Sequence, residues 1–456
     1  MSCPFWTVCR FCNACFLPPF KPNNRDRTVR YLLLLFPLLL TTLSLSAKEP
    51  NDERLEWFRQ AKLGIFIHWG IYAVDGIDES WSFFNKYVSY EDYMRQLDGF
   101  TAEQYDPKVW ARLIADSGAR YAVLTTKHHD GVALWHTKLS DLNVVEKTPA
   151  GRDLVTPFVK SLRKEKLKVG LYYSHLDWSH PDYDVFIRDQ YRYRDDPVRW
   201  ERFLRFHRGQ LEELVSQFKP DLLWFDGDWE HSSEEWGAAS LSDTLRAWHP
   251  PVLLNSRING YGDYATPEHN APIVPPEGAW ELCMTMNDSW GYQDNDHNYK
   301  TPYQLIRIFA DVIGGGGNLL LDIGPRADGT IPSEQVAILR EIGRWTHKHS
   351  EAIYETKAGI PSGHFYGPTT LSADRQTLYL FVPHTSDKPI VVRGLKNHVN
   401  RIRIVGNGTK IKGQILGKQY WSSVPGILYI NVPPSEADAT MTVIALQLKG
   451  AVDLHR

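Results

Sequence analysis

Seven short apolar runs punctuate the chain, at 63–69, 120–127, 168–174, 221–226, 252–257, 280–286 and 318–323. Their length and their β-branched and aromatic content predict buried strands. Between most of them, apolar positions recur at helical spacing. This predicts helices over 102–117, 154–166, 198–218, 302–313 and 333–349. In the first of these, Val109, Leu113 and Ile114 mark the buried stripe and Trp110 extends it. Strands alternating with helices predict an α/β fold, a (β/α)8-like barrel of the TIM type. No eighth run stands out, so a degenerate barrel is the alternative. Beyond Gly359 the texture changes to short alternating segments separated by turn residues, at 377–383, 389–395, 401–406, 427–433 and 440–448. That pattern predicts a C-terminal antiparallel β-sandwich. The expected organisation is an N-terminal extension over 1–47, a barrel over 48–356 and the sandwich over 357–456.

Composition narrows the function. The 456 residues are 43% hydrophobic and 23% charged, enough for one large domain and a smaller one. A net charge of −3, with no basic stripe, argues against a nucleic-acid partner. Residues 32–40 read LLLLFPLLL, with Arg27 and Arg30 before them and small residues up to Ala47 after them. A charged start, a short apolar core and a small-residue end predict a secretory signal cleaved near Ala47. The run is too short to span a bilayer stably, since a spanning helix needs about 20 apolar residues. The expected location is secreted or periplasmic. Cys3, Cys9, Cys12 and Cys15 precede the signal, and translation is expected to begin nearer Val29. After Ala47 only Cys283 remains, so no disulfide can form within one mature chain.

The predicted strands lead to residues capable of chemistry: His68, then His128 and His129, Tyr173, Asp226, Arg257, and Trp290 after the sixth. In a barrel, strand C-termini converge on one face, where active sites lie. Asp226 ends the apolar run LLWF. A lone carboxylate there is too costly to bury as core, so it reads as functional or as a helix cap. Hydrolysis of a glycoside calls for a second carboxyl, and Glu268, Glu277 and Glu281 are the candidates. Glu268 stands in a polar, turn-rich stretch over the mouth, whereas Glu281 opens a strand and therefore lies toward the barrel floor. The histidines could instead hold a metal for a barrel hydrolase, although strand 1 offers one His and not a pair. A non-catalytic sugar-binding protein is a third reading. Trp81, Trp224 and Trp290 suit either a sugar face or a core. Gly314–Gly317 lack the order of a phosphate loop and read as a helix-to-strand turn. Asn287 and Asn407 match the glycosylation acceptor pattern.

Taken together, LGIFIHWG, TTKHHDG, GLYYSHLDW, LLWFDGDW, WELCMTMNDSWGY and GGGNLLLDIGPRADGTIP resemble the α-L-fucosidases of glycoside hydrolase family 29. The resemblance runs from about Glu56 to Tyr354. It implies a retaining exo-α-L-fucosidase acting on fucosylated oligosaccharides or glycoconjugates, with neither cofactor nor metal. It assigns the nucleophile to Asp226 and the fucose pocket to His68, Trp81, His128, His129, Tyr173, Trp224, Arg257 and Trp290. GDYATPE is similar to the loop that supplies the acid/base in several members, which favours Glu268; Glu281, in the W-E-x-C signature, is the rival. Two departures stand out: Ser80 precedes Trp81 where relatives often carry Glu, with Glu79 adjacent, and Ala279 replaces a frequent Lys. Oligomeric state and linkage preference stay open.

Overall fold

The computed structural model describes residues 50–383 and 388–455. The signal sequence, the alternative start and the four N-terminal cysteines lie outside the described residues. Seven parallel strands form one curled sheet: β1 Leu63–Ile67, β2 Tyr121–Lys127, β3 Lys168–Ser174, β4 Leu222–Asp226, β5 Leu253–Leu254, β6 Glu281–Thr285 and β7 Asn318–Ile323, in the order β5-β4-β3-β2-β1-β7-β6. Apart from Lys168, every residue of these strands is buried, as expected of a parallel sheet covered on both faces. Alternate residues take opposite sides. Phe66, Val123, Tyr172, Leu222 and Trp224 fill the lumen, while Ile65, Leu124, Leu171 and Leu223 pack outward under the helices.

The missing eighth strand has a physical explanation. Between β5 and β6 runs an irregular segment, 263–269, bridged in parallel to Asn255 on one side and to Trp280 and Cys283 on the other. Ser256 N–H donates to the Tyr264 carbonyl, and Ala265 N–H to the Ala279 carbonyl. Cys283 N–H donates to the Pro267 carbonyl, and His269 N–H returns a bond to the Cys283 carbonyl. This segment closes the barrel. It follows β5 after only a short turn, without the helix that announces other strands, and Pro267 removes one ladder donor. At the other end a helix not expected from the sequence, α1 Pro50–Ala61, plugs the floor with Leu55, Phe58 and Ala61.

The outer helices are α2 Pro107–Asp116, α3 Val155–Lys164, α4 Pro197–Phe218, α5 Ala238–Trp248, α6 Pro302–Gly314 and α7 Ser333–Lys348. The helix expected from 102 starts only at Pro107. Asp106 caps it by accepting from Lys108 and Val109 N–H, and proline at the first position fixes the start. The C-terminal part holds β8 Lys357–Ala358, β9 Thr369–Leu371, β10 Thr377–Val382, β11 Ile390–Val392, β12 Val399–Ile404, β13 Gly413–Leu416, β14 Ile427–Ile430 and β15 Thr442–Leu448. They form antiparallel sheets ordered β8-β9-β10-β15-β12 and β11-β14-β13. One sheet packs on the barrel helices: the Trp345 indole on α7 donates to the Met441 carbonyl at 2.8 Å and stands 6.1 Å from the Phe381 ring. No helix among the described residues is long and apolar enough to cross a membrane.

Candidate active site

Strand periodicity builds the cup. On β4, Leu222, Trp224 and Asp226 share the inward face, so Asp226 stands one step above the indole that floors the site. The strand stops there because Gly227 adopts a positive φ of 85°, and a Cβ at that position would strike Leu176. Asp226 does not cap a helix. Its Oδ1 accepts from Arg257 Nη1 at 2.7 Å and its Oδ2 from the Tyr172 hydroxyl at 3.0 Å. His129 Nε2, 3.7 Å from Oδ2, has no hydrogen-bond partner among the described residues.

Arg257 carries two carboxylates at once. Nη1 serves Asp226, while Nη2 reaches Glu268 Oε2 at 2.6 Å. The guanidinium lies 4.6 Å from the Trp224 ring centroid, a cation–π contact that fixes its plane. The Glu268 side chain is 36% exposed against 13% for Asp226, so Glu268 sits at the mouth and Asp226 within. Glu281 takes a different place. It is fully buried beneath the cup, accepting from the Tyr121 hydroxyl and, at 3.0 Å, from Trp224 Nε1. Burial pushes its carboxyl up to about 7 against those hydrogen bonds. It braces the floor and does not line the cavity. Glu277 lies exposed in the following loop.

Two imidazoles, His68 and His128, line the opposite wall, while His129 is buried behind the lining next to Asp226. His68 follows Phe66 on the inward face, and its Nδ1 shares a 2.7 Å hydrogen bond with Asp322. Burial drives the histidine well below and the carboxyl well above its ordinary value. A break in strand register between Thr125 and Lys127 turns Lys127 outward and His128 into the cup. His128 Nδ1 lies 2.7 Å from Ser80 Oγ, and His129 Nδ1 lies 2.6 Å from Ser174 Oγ. Burial, reinforced by the neighbouring imidazole, keeps His128 far below its usual value; burial, with His68 and Lys127, lowers His129 to about 3. All three rings are therefore neutral hydrogen-bonding groups at physiological pH. Among the described residues no group of three or more His, Cys, Asp or Glu is arranged to hold a metal ion.

Tyr173 is not in the pocket; Tyr172 is. Tyr172 pairs in register with inward-facing Trp224, so Tyr173 must point outward. There its hydroxyl donates to Gln210 on α4 and accepts from the buried Lys127 ammonium. The period-two rule, counted from Asp226 across the register, would have identified Tyr172. Trp81, Trp224 and Trp290 all line the cavity. So do Glu79 and Trp229, which the strand-end pattern does not reach because both stand on loops. Glu79 accepts from Gly291 N–H at 2.5 Å, and burial raises its carboxyl to about 7. Trp229, 52% exposed, stands parallel to Trp81 at 6.2 Å on the rim. The cavity measures about 260 Å³, below the usual range for drug-sized ligands and fit for a single sugar ring. Asn287, the first glycosylation acceptor, is buried.

Known proteins resemble this chain in sequence and fold. The family model described as Alpha-L-fucosidase matches residues 44–351. Plasma alpha-L-fucosidase of Rattus norvegicus is 34% identical over 71% of this chain and 78% of its own length. Alpha-L-fucosidase isoenzyme 1 from Paenibacillus thiaminolyticus has a TM-score of 0.80 at 33% identity, over 88% of this chain and 100% of that one. A family 29 alpha-L-fucosidase from Bacteroides thetaiotaomicron gives 0.77 at 27% identity, over 88% of this chain and 97% of that one. It was trapped as a covalent intermediate with 2-fluoro-fucosyl fluoride in a Glu-to-Gln mutant.

Proposed function

This chain belongs to the α-L-fucosidase family, glycoside hydrolase family 29, and we propose that it is a retaining exo-α-L-fucosidase releasing L-fucose from fucosylated glycans by double displacement. The observation that carries this reading is the single guanidinium of Arg257, which holds Asp226 and Glu268 on its two terminal nitrogens over Trp224. One planar fork holds both carboxyl groups over the cup, and a retaining reaction calls for such a pair at about 5–5.5 Å. Asp226, the deeper group, attacks the anomeric carbon. Glu268, at the mouth, protonates the departing glycosidic oxygen and then takes a proton from the water that cleaves the fucosyl ester. The neutral imidazoles of His68, His128 and His129 hydrogen-bond the sugar hydroxyls, while Trp81 and Trp290 offer apolar faces to the ring and its methyl group. A cavity of one-ring size supports removal of a terminal residue. The apolar segment before Ala47 supports an extracytoplasmic location.

Asp226→Gly is expected to lower turnover by more than about 10⁴-fold and to regain rate with azide, yielding the inverted fucosyl azide. Glu268→Ala should lose about 10²–10⁴-fold on substrates with poor leaving groups and much less on activated aryl fucosides. Full turnover in Asp226→Gly would place the nucleophile elsewhere. The leaving-group pattern appearing in Glu281→Ala alone would move the acid/base there.

A further inference from the structure

Glu268 ends the one barrel-closing segment that has no helix behind it and only a partial hydrogen-bond ladder. At the other end of that segment stands Asp263, whose side chain is 2% exposed. Its Oδ1 accepts from Arg54 Nη2 on α1 at 3.0 Å and from Arg246 Nη2 on α5 at 3.1 Å, and its Oδ2 from Leu254 N–H at 2.9 Å. Asp263 N–H in turn donates to the Leu254 carbonyl at 2.7 Å. Arg54 also binds the Val252 carbonyl, and Arg246 binds Ser242 Oγ and the Tyr261 carbonyl. The floor helix α1, the outer helix α5, strand β5 and the turn before the segment are thus tied to one carboxylate. From Asp263 the extended chain rises five residues, about 16 Å, to Glu268.

We infer that Asp263 is a positioning residue for the acid/base: clamped by Arg54 and Arg246, it sets the register of segment 263–269 and so the height of Glu268 over the cup. The inference rests on Glu268 being the acid/base. An undamaged ladder would hold register by itself; here Pro267 interrupts it, and the clamp takes over that task. A slip of the segment would move Glu268 away from the glycosidic oxygen while leaving Asp226, on β4, in place. The chemical signature of losing the clamp is therefore a selective loss of proton donation.

The test compares Asp263→Asn, Arg246→Gln and Glu268→Gln on an activated aryl fucoside and on a fucoside with a sugar leaving group. Rates are expressed per active site titrated with 2-deoxy-2-fluoro-fucosyl fluoride, so that misfolded protein drops out. Asp263→Asn should lose about ten-fold more kcat/KM on the sugar leaving group than on the aryl one, and should shift the limb of the pH–rate profile that Glu268 supplies. Arg246→Gln, which leaves Arg54 and Leu254 N–H on the carboxylate, should show the same bias more weakly. Adding Asp263→Asn to Glu268→Gln should not deepen that bias. Equal losses on both substrates with an unmoved pH profile would overturn the clamp. Absence of leaving-group dependence in Glu268→Gln would overturn the acid/base reading and the clamp with it. Its presence there, with none in Asp263→Asn, overturns the clamp alone.

Discussion

Tyr172 and Tyr173 are chemically alike and adjacent, yet they serve different ends. Tyr172 donates a hydrogen bond to Asp226 at 3.0 Å, whereas Tyr173 donates to Gln210 at 2.9 Å beneath α4. A hydrogen bond to a charged group contributes about 1.5–3 kcal/mol, and a neutral one nearer 1 kcal/mol. Tyr172→Phe should therefore lower kcat/KM by about 10-fold or more with little change in melting temperature. Tyr173→Phe should do the reverse, losing about 1–3 kcal/mol of stability with near-normal kinetics, because Lys127 and Gln210 lose a buried partner. Glu281 gives the residue scale a pH dependence. Its pKa is raised by burial, from the ordinary 4.5 to about 7, so the folded chain holds a proton that the unfolded chain releases. The stability this confers is complete below about pH 4.5 and disappears as pH rises through about 7. The span is worth about 3 kcal/mol at most. Glu281→Gln keeps the contacts to Tyr121 and Trp224 but cannot titrate. In urea unfolding it should gain on the parent chain by about that amount between pH 4.5 and 7.5. A constant difference across that range would show that Glu281 is ionised in the fold.

Elements were legible where two periodicities met. A run such as 222–226, buried on both faces and followed by a helical stripe, announces itself through apolar content, and all seven such strands are present. Their C-terminal ends converge, so Asp226, His68 and Arg257 could be placed in one cup from spacing alone. Parity within a strand was less secure. A single register break at Thr125–Lys127 decides which of three consecutive polar residues faces inward, and the sequence does not display it. The same limit put Tyr173 where Tyr172 stands. The closing segment was illegible for another reason: Asp263, Thr266 and Pro267 look like loop residues, and only the strands on either side make them part of a sheet. α1 was hidden because its apolar residues are few, and Leu55, Phe58 and Ala61 acquire meaning only as a plug for a barrel floor. Among the sandwich strands, β8, β9 and β13 are two to four residues long, too short for alternation to register.

On the scale of the whole molecule, the C-terminal sheets finish the barrel's core instead of standing apart from it. Tyr379, Phe381, Met441, Val443 and Ala445 belong to the same buried cluster as Phe309 and Trp345 on the barrel helices. The seam is fastened by charge as well. Asp438, 2% exposed, accepts from Arg344 at 3.0 Å and from Lys348 at 2.6 Å, both on α7. Burial alone would raise its carboxyl, but those hydrogen bonds outweigh it and hold the group below the ordinary range. A carboxyl so lowered lends stability that is present above its unfolded value, near pH 4, and is lost as pH falls further. Arg344 and Lys348 are 41% and 34% exposed, so removing Asp438 strands no fully buried charge and costs about 1–3 kcal/mol. Asp438→Ala should accordingly lower the melting temperature and shrink the acid sensitivity of the seam, with fucoside kcat/KM unchanged, since nothing in the cup touches it. Calorimetry of the intact chain should show one transition, because a barrel ending at Thr356 would expose Trp345 and Phe309 to water. A chain of 48–356 that folds alone with full activity, or two well-separated transitions in the intact protein, would mean that the sheets are a passenger and that the catalytic cup is supported by the barrel alone.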